Sequence, residues 1–193
     1  MRITGGTLKG RTLKVSPHVR PTQDRVREAL FSSLATLIPD AHVLDLFAGT
    51  GALGLEAWSR GAATVRWVES DPRTCAALRQ TLRNLCGPDA AQCCVQADVF
   101  RFLQRARGNA PPADFILADP PYDRHDSAFE FDRFLESVTS SGWLKPEGWL
   151  VFEQRSRQPV REHPHWHVVR ERTYGEARLI YYQPVEGAGD PSP

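Results

Sequence analysis

The apolar run Val43-Leu44-Asp45-Leu46-Phe47 passes directly into Ala48-Gly49-Thr50-Gly51-Ala52-Leu53-Gly54-Leu55-Glu56, which continues at helical spacing to about residue 60. A buried strand, a glycine turn that accepts positive φ, and a helix opening beside it make one unit. The unit recurs. Further apolar runs read as strands over 64–69, 92–97, 114–118 and 149–153, with helical patterns near 73–85, 99–107 and 128–140 between them. Such repetition predicts an α/β chain whose parallel sheet is covered by helices on both faces. Two last extended stretches, 165–172 and 177–183, have no helix between them and predict a closing antiparallel hairpin around Tyr174-Gly175.

Upstream of this pattern, Gly5, Gly6 and Gly10 punctuate short extended pieces over 1–15, which predicts a small hairpin, with a loop over 17–21. Thr22 suits an N-cap, and Val26, Leu30, Leu34 and Leu37 recur at helical spacing until Pro39. The expected organisation is a basic N-terminal arm over 1–20, one main domain over 21–184, and a disordered tail over 185–193. At 193 residues and 41% hydrophobic content, the chain can bury one sizeable core. No apolar stretch approaches the roughly 20 residues of a membrane span, and Met1-Arg2-Ile3-Thr4-Gly5-Gly6 lacks a signal-peptide segment, so a cytoplasmic protein with no membrane partner is expected.

The net charge of +1 conceals an asymmetry. Arg2, Lys9, Arg11, Lys14, Arg20, Arg25 and Arg27 stand against only Asp24 and Glu28 in the first thirty residues, leaving a mildly acidic body. A basic edge of this kind suits a polyanion, because Lys and Arg contacts to phosphate supply most sequence-independent nucleic-acid affinity. Cys75, Cys86, Cys93 and Cys94 form no paired CxxC framework and read as small core residues; no metal site is expected. His163, His165 and His167 alternate and could share one strand face, but no fourth ligand accompanies them. Trp67, Trp143 and Trp149 sit in or beside apolar runs and read as core.

Gly49, Gly51 and Gly54 satisfy GxGxxG, and Glu69, 20 residues beyond Gly49, ends the second strand where an acid can hold ribose hydroxyls. These signs predict a nucleoside-containing cofactor without separating NAD from S-adenosylmethionine. Asp45 favours the latter, since a carboxylate facing the loop suits a cationic amino or sulfonium group better than a pyrophosphate. Asp98 ends the third strand at the same sheet edge and can accept from an adenine amino group or, equally, cap the next helix. Asp71-Pro72 makes the better cap for its own helix, which leaves Glu69 to a ligand.

Asp119-Pro120-Pro121-Tyr122 follows the apolar run Phe115-Ile116-Leu117-Ala118. Two prolines fix φ and remove two N–H donors, so the carbonyls there are uncommitted, while Asp119 adds an acceptor and Tyr122 a stacking ring. An exocyclic amino group on a planar base is the complement of that set.

With Arg2-Ile3-Thr4-Gly5-Gly6, Lys9-Gly10-Arg11, Arg20-Pro21-Thr22-Gln23-Asp24-Arg25-Val26-Arg27-Glu28, the glycine motif and Asp119-Pro120-Pro121-Tyr122 in this order, the chain resembles the RsmD-like family of class I S-adenosylmethionine-dependent methyltransferases nearly end to end. The resemblance implies a Rossmann-like, mostly parallel seven-stranded sheet, and methylation of the guanine N2 amine in bacterial 16S ribosomal RNA within the small ribosomal subunit, with guanine 966 the expected target and a monomeric enzyme. It implies cofactor contacts at Asp45, Phe47, Ala48, Gly49, Gly51, Glu69, Asp98 and Asp119. Of these, Asp45, Gly49 and Gly51 would take the methionine end, Glu69 the ribose and Asp98 the adenine. Asp119, Pro120, Pro121 and Tyr122 would hold the reacting base; Arg20, Thr22, Arg25 and Tyr122 would meet the RNA. The alternative is an amino-methyltransferase acting on adenine or cytosine in DNA or another RNA. A dehydrogenase would leave the Asp119 motif unexplained, and a noncatalytic RNA-binding module would require that no cofactor bind.

Overall fold

Continuous burial marks the two central strands, β1 (His42–Leu46) and β4 (Ala113–Ala118), whose side chains alternate between two separate cores. The computed structural model describes residues 1–13, 21–121 and 130–185, leaving aside the side chains of 21–23. The sequence readings placed on residues 17–20, Tyr122 and the tail from 186, together with the Thr22 side chain and Arg20, lie outside these.

The remaining elements are α1 (Pro21–Ser33), α2 (Ala52–Ser59), β2 (Thr64–Glu69), α3 (Pro72–Cys86), α4 (Pro88–Gln92), β3 (Cys94–Gln96), α5 (Val99–Leu103), α6 (Phe131–Ser141), β5 (Leu144–Arg155), β6 (Trp166–Tyr174) and β7 (Ala177–Pro184). The described residues form a seven-stranded sheet in the order β3-β2-β1-β4-β5-β7-β6. The first five of these strands run parallel, and β7 is antiparallel to both of its neighbours. From β1 the chain winds outward to β3, then returns to the other side of β1. That reversal between β1 and β4 opens a crevice at the carboxyl ends of the strands.

One face of the sheet packs Val43, Trp67, Phe115, Leu117 and Val151 with α1, α2, α3 and the N-terminal residues Ile3 and Leu13. The opposite face packs Leu44, Leu46, Ile116, Ala118 and Phe152 with α5, α6, Trp143 and Trp166. The odd-numbered residues Val43 of β1, Phe115 and Leu117 of β4 and Val151 of β5 therefore point toward α1 and α2, whereas Ala113, before a register shift in β4, lies in the other core. Trp149 is partly buried at the first core, as its apolar setting predicted. The Cys75 and Cys94 thiols lie 3.5 Å apart between α3 and β3, and burial pushes Cys94 up to about 12.

Residues 1–13 are docked on α1 and α2. Glu56, wholly buried on α2, receives the Thr4 N–H at 2.9 Å, the Thr4 hydroxyl at 2.6 Å, Arg60 Nη2 at 2.8 Å and Arg27 Nε at 3.4 Å. Arg27 also donates to the Arg2 carbonyl and to Asp24, the latter at 3.0 Å. A carboxylate taken from water at this cost is held by two cations and two further donors.

Several local expectations are corrected. The hairpin expected over 1–15 is present but short: among the described residues Arg2 bridges Thr12 antiparallel, flanked by the Ile3 N–H on Arg11 O and the Leu13 N–H on Met1 O, both at 3.0 Å. The helix begins at Pro21, so the backbone places Thr22 inside it rather than before it. It ends at Ser33, whose hydroxyl lies 3.0 Å from that of Tyr181. The following turns leave Leu37 47% exposed and bury Ile38 in its place. The strand expected over 92–97 starts only at Cys94, because Pro88 and Asp89 open the short helix α4. α5 stops at Leu103, short of residue 107, and β5 begins at Leu144, ahead of 149. His163 lies before β6, bridged to Trp166, so the three histidines do not share one strand face.

Candidate active site at the sheet switch point

A cavity of about 420 Å³ fills the crevice. Its floor is the loop after β1, its far wall the ends of β2 and β3, and its near wall the ends of β4 and β5; Val26, Arg27 and Leu30 of α1, with Met1, cover one side.

The loop is held by backbone geometry that only its own residues supply. Phe47 and Gly49 adopt φ of 60° and 52°, and the Ala48 N–H donates to Val68 O at 2.9 Å. A Cβ on Gly49 would meet nothing nearer than Phe47 O at 3.9 Å, so its backbone is open toward the cavity. The other two glycines serve packing instead. A Cβ on Gly51 would lie 2.4 Å from Leu78 Cδ1, and one on Gly54 2.1 Å from Trp67 Nε1 and 2.9 Å from Asp45 Oδ2. α2 can approach β1 and β2 only because position 54 carries no side chain.

Asp45 is buried, with Oδ2 accepting the Gly54 N–H at 2.8 Å. Burial drives its pKa well above the ordinary carboxylate value; the neighbouring charges of Asp119 and Glu69 push the same way. Asp119 is half-buried at the end of β4, and burial raises it to about 6. Glu69 is not left to a ligand alone, as its sequence setting suggested. Its Oε2 accepts the Gly49 N–H at 2.8 Å and its Oε1 the Asp71 N–H at 2.7 Å, while Asp71 caps α3 through Thr74 N–H. Oε1 also receives the Ser70 hydroxyl at 3.5 Å, while Oε2 retains a second lone pair, and the residue lines the cavity. Asp98 caps α5, accepting the Arg101 N–H at 3.0 Å, and also lines the cavity.

Asp45, Phe47, Ala48, Gly49, Glu69, Asp98, Asp119 and Pro121 thus meet in one cavity, with Pro120 buried behind them and Gly51 in the supporting turn. Arg25 is exposed on α1 and does not line it. Nothing in the sequence pointed Met1, Arg27, Leu30 or Glu153 to this cavity, Arg27 being visible only in the basic edge and its motif. The apolar α1 positions were visible as core periodicity only, and Glu153 belongs to no motif.

The charge of this lining decides what fits. Acids dominate its charged side chains, and the side-chain cation among its described residues, Arg27, is engaged by Glu56, Asp24 and the Arg2 carbonyl. A pyrophosphate would face repulsion from this cluster of carboxylates, whereas a sulfonium or an ammonium group would be drawn to it. The donor set and the open backbone at Gly49 therefore fit S-adenosylmethionine.

With β7 inserted antiparallel between β5 and β6, the sheet has the architecture of the class I methyltransferases rather than that of a dinucleotide-binding dehydrogenase. Within that class, the family described as Conserved hypothetical protein 95 matches residues 1–183, and the chain belongs to this family, the RsmD family. Ribosomal RNA small subunit methyltransferase D of Escherichia coli strain K12 is 36% identical over 195 residues, spanning 98% of this chain and 93% of its own length. The protein of the same name from Haemophilus influenzae is 34% identical over 186 residues, spanning 95% and 93%. The solved structure of the Escherichia coli protein yhhF superposes with a TM-score of 0.77 at 35% identity, covering 95% of this chain and 97% of that one.

Proposed function

We propose that this protein methylates the exocyclic N2 amine of a guanine in 16S ribosomal RNA, guanine 966 being the expected nucleotide, with S-adenosylmethionine as donor and the assembled small subunit as substrate. The observation that carries the reading is the position of Asp119: its carboxylate shares one cavity with Asp45, Glu69 and the glycine loop, at the end of the strand beside β1. The relatives named as small-subunit RNA methyltransferases support the substrate class.

S-adenosylmethionine supplies, when bound, an electrophilic methyl group on a sulfonium. The chain's own residues supply placement and charge. Guanine N2 is a poor nucleophile because its lone pair is delocalised into the ring. Acceptors at Asp119 and the Pro120 carbonyl hold the two amino hydrogens and favour a pyramidal nitrogen, and these bonds strengthen as positive charge develops on it. Asp119 then takes the departing proton, a role matched to a carboxylate raised to about 6. Tyr122 stacks on the base, worth roughly 1–3 kcal/mol for an unpaired nucleotide. The exposed cations Arg2, Lys9, Arg11 and Arg25 receive the RNA backbone. The enzyme is expected to act as a cytoplasmic monomer; among the described residues no helix is long and apolar enough to cross a membrane.

The test is incubation of the protein with labelled donor and small subunits from cells lacking the activity, followed by nucleoside analysis and mapping of the modified position. N2-methylguanosine at one site is expected. Label in adenosine or cytidine would overturn the guanine assignment, and calorimetric binding of NAD in place of S-adenosylmethionine would overturn the methyl transfer itself.

A further inference from the structure

We infer that Glu153 selects guanine, by accepting the N1–H of the target base while Asp119 accepts from the adjacent N2 amine. The inference rests on the guanine reading above and assigns a specificity-determining residue that no motif in the chain marks.

The geometry comes from strand register. Ala118 pairs with Phe152 across the parallel β4–β5 ladder, so the residues that follow, Asp119 just past the end of β4 and Glu153 on β5, stand side by side at the carboxyl edge. Adjacent strands lie about 4.8 Å apart. Phe152 packs in the core on the α5–α6 face, so strand alternation turns Glu153 to the opposite face, the one bearing α1, where it lines the same cavity as Asp119 and Pro121. Across the sheet the order is Asp98 after β3, Glu69 on β2, Asp45 and the glycine loop at β1, Asp119 after β4, then Glu153 on β5. Glu153 therefore lies beyond the reacting amine, on the side away from the cofactor subsites.

The chemistry of the base edges gives this placement its meaning. Guanine presents N1–H beside its amino group, two neighbouring donor positions. Adenine and cytosine carry an acceptor nitrogen beside theirs, and uracil has no amine. Two carboxylates on adjacent strands match a donor–donor edge and oppose a donor–acceptor edge, where a ring lone pair would face Glu153 in a partly desolvated site. A polar site built for a specific donor rejects analogues lacking it far more strongly than an apolar pocket rejects a change of size.

The test uses 2-aminopurine, which keeps the reacting amine and replaces N1–H by an acceptor nitrogen. Small subunits are reconstituted with 16S RNA carrying guanine or 2-aminopurine at the target position, and kcat/KM is measured for wild type, Glu153→Gln and Glu153→Ala, with donor affinity followed by calorimetry. Wild type is expected to prefer guanine by at least about 100-fold. Glu153→Gln, whose amide can donate to the acceptor nitrogen, is expected to narrow or invert that preference, and Glu153→Ala to narrow it, both with donor affinity unchanged. A general structural defect would lower both substrates together. If wild type methylates both bases equally, or if the preference is the same in every variant that folds, the inference is overturned. Absence of N2-methylguanosine from the wild-type reaction on guanine would instead overturn the reading on which it rests.

Discussion

Glu69 accepts the Gly49 N–H at 2.8 Å, joining the end of β2 to the glycine turn after β1, and its other oxygen receives Asp71 at 2.7 Å. The carboxylate therefore shapes the turn as well as lining the cavity. Glu69→Gln leaves one of these amides facing an NH₂ group, a loss of about 1–3 kcal/mol. Affinity for S-adenosylmethionine is expected to fall about 10- to 100-fold, read by calorimetry, with the thermal midpoint of the unliganded protein lowered as well. A change in ligand affinity without any change in the midpoint would mean that the turn does not depend on Glu69.

Asp119→Asn removes the negative charge and the proton carrier and turns one acceptor oxygen into an NH₂ donor, while keeping the side chain's shape. Methyl transfer is expected to fall at least about 100-fold, with donor affinity within a few-fold of wild type. In wild type, kcat/KM should fall as pH drops through about 6, where Asp119 protonates. The linkage has the opposite sense for stability. The folded pKa lies above the ordinary value of 3.8, so the native state binds the extra proton, and stability is lost as pH rises from about 4 to about 6. At pH 7 the Asn variant without ligand should be more stable by about 1–2 kcal/mol in chemical denaturation, and the gain should vanish at pH 4. A flat difference across this range would contradict the raised pKa.

Gly54→Ala drives a methyl group into Trp67 and Asp45, both on the buried face of the sheet. Overpacking there should cost about 1–3 kcal/mol of unfolding free energy. Gly49→Ala meets no atom nearer than 3.9 Å but sets a Cβ at a φ of 52°, a strain of about 1 kcal/mol, so it should lower the denaturation midpoint less than Gly54→Ala and weaken donor binding more.

Thr4, Arg27, Arg60 and Glu56 fasten the N-terminal residues to the body. Glu56→Ala leaves buried Arg27 with Asp24 and the Arg2 carbonyl alone and removes the acceptor shared by Thr4 and Arg60, and a loss of about 3 kcal/mol is expected from urea unfolding. A loss under 1 kcal/mol would show that Asp24 and the Arg2 carbonyl suffice to hold Arg27.

Because Ile3 and Leu13 are core residues, cutting away the arm would test folding more than RNA binding. Single Ala substitutions at Lys9, Arg11 and Arg25, all exposed, separate the two. Each cation removed from a phosphate should lower the slope of log affinity against log salt for the small subunit by about 0.7–0.9, without altering donor affinity. An unchanged slope in all three would place the RNA on another surface.

The class of fold and the two ends of the active cavity were legible in the sequence because their determinants are local. A φ of 52° at Gly49, a proline pair after Ala118, and apolar runs of strand length are demands that a few consecutive residues impose on their own backbone. The same locality misled where neighbouring signals competed, as at Pro88-Asp89, which converted the start of an expected strand into α4. What the glycines at 51 and 54 accommodate, which carboxylate oxygens the backbone already occupies, and the pairing of Arg27 with Glu56 were decided by tertiary structure. So was the neighbour of Asp119. Sequence periodicity fixes which face a strand residue takes, but only the order β1-β4-β5 and its register bring Glu153 beside the acceptor site, since parallel pairing joins residues with no local relation along the chain.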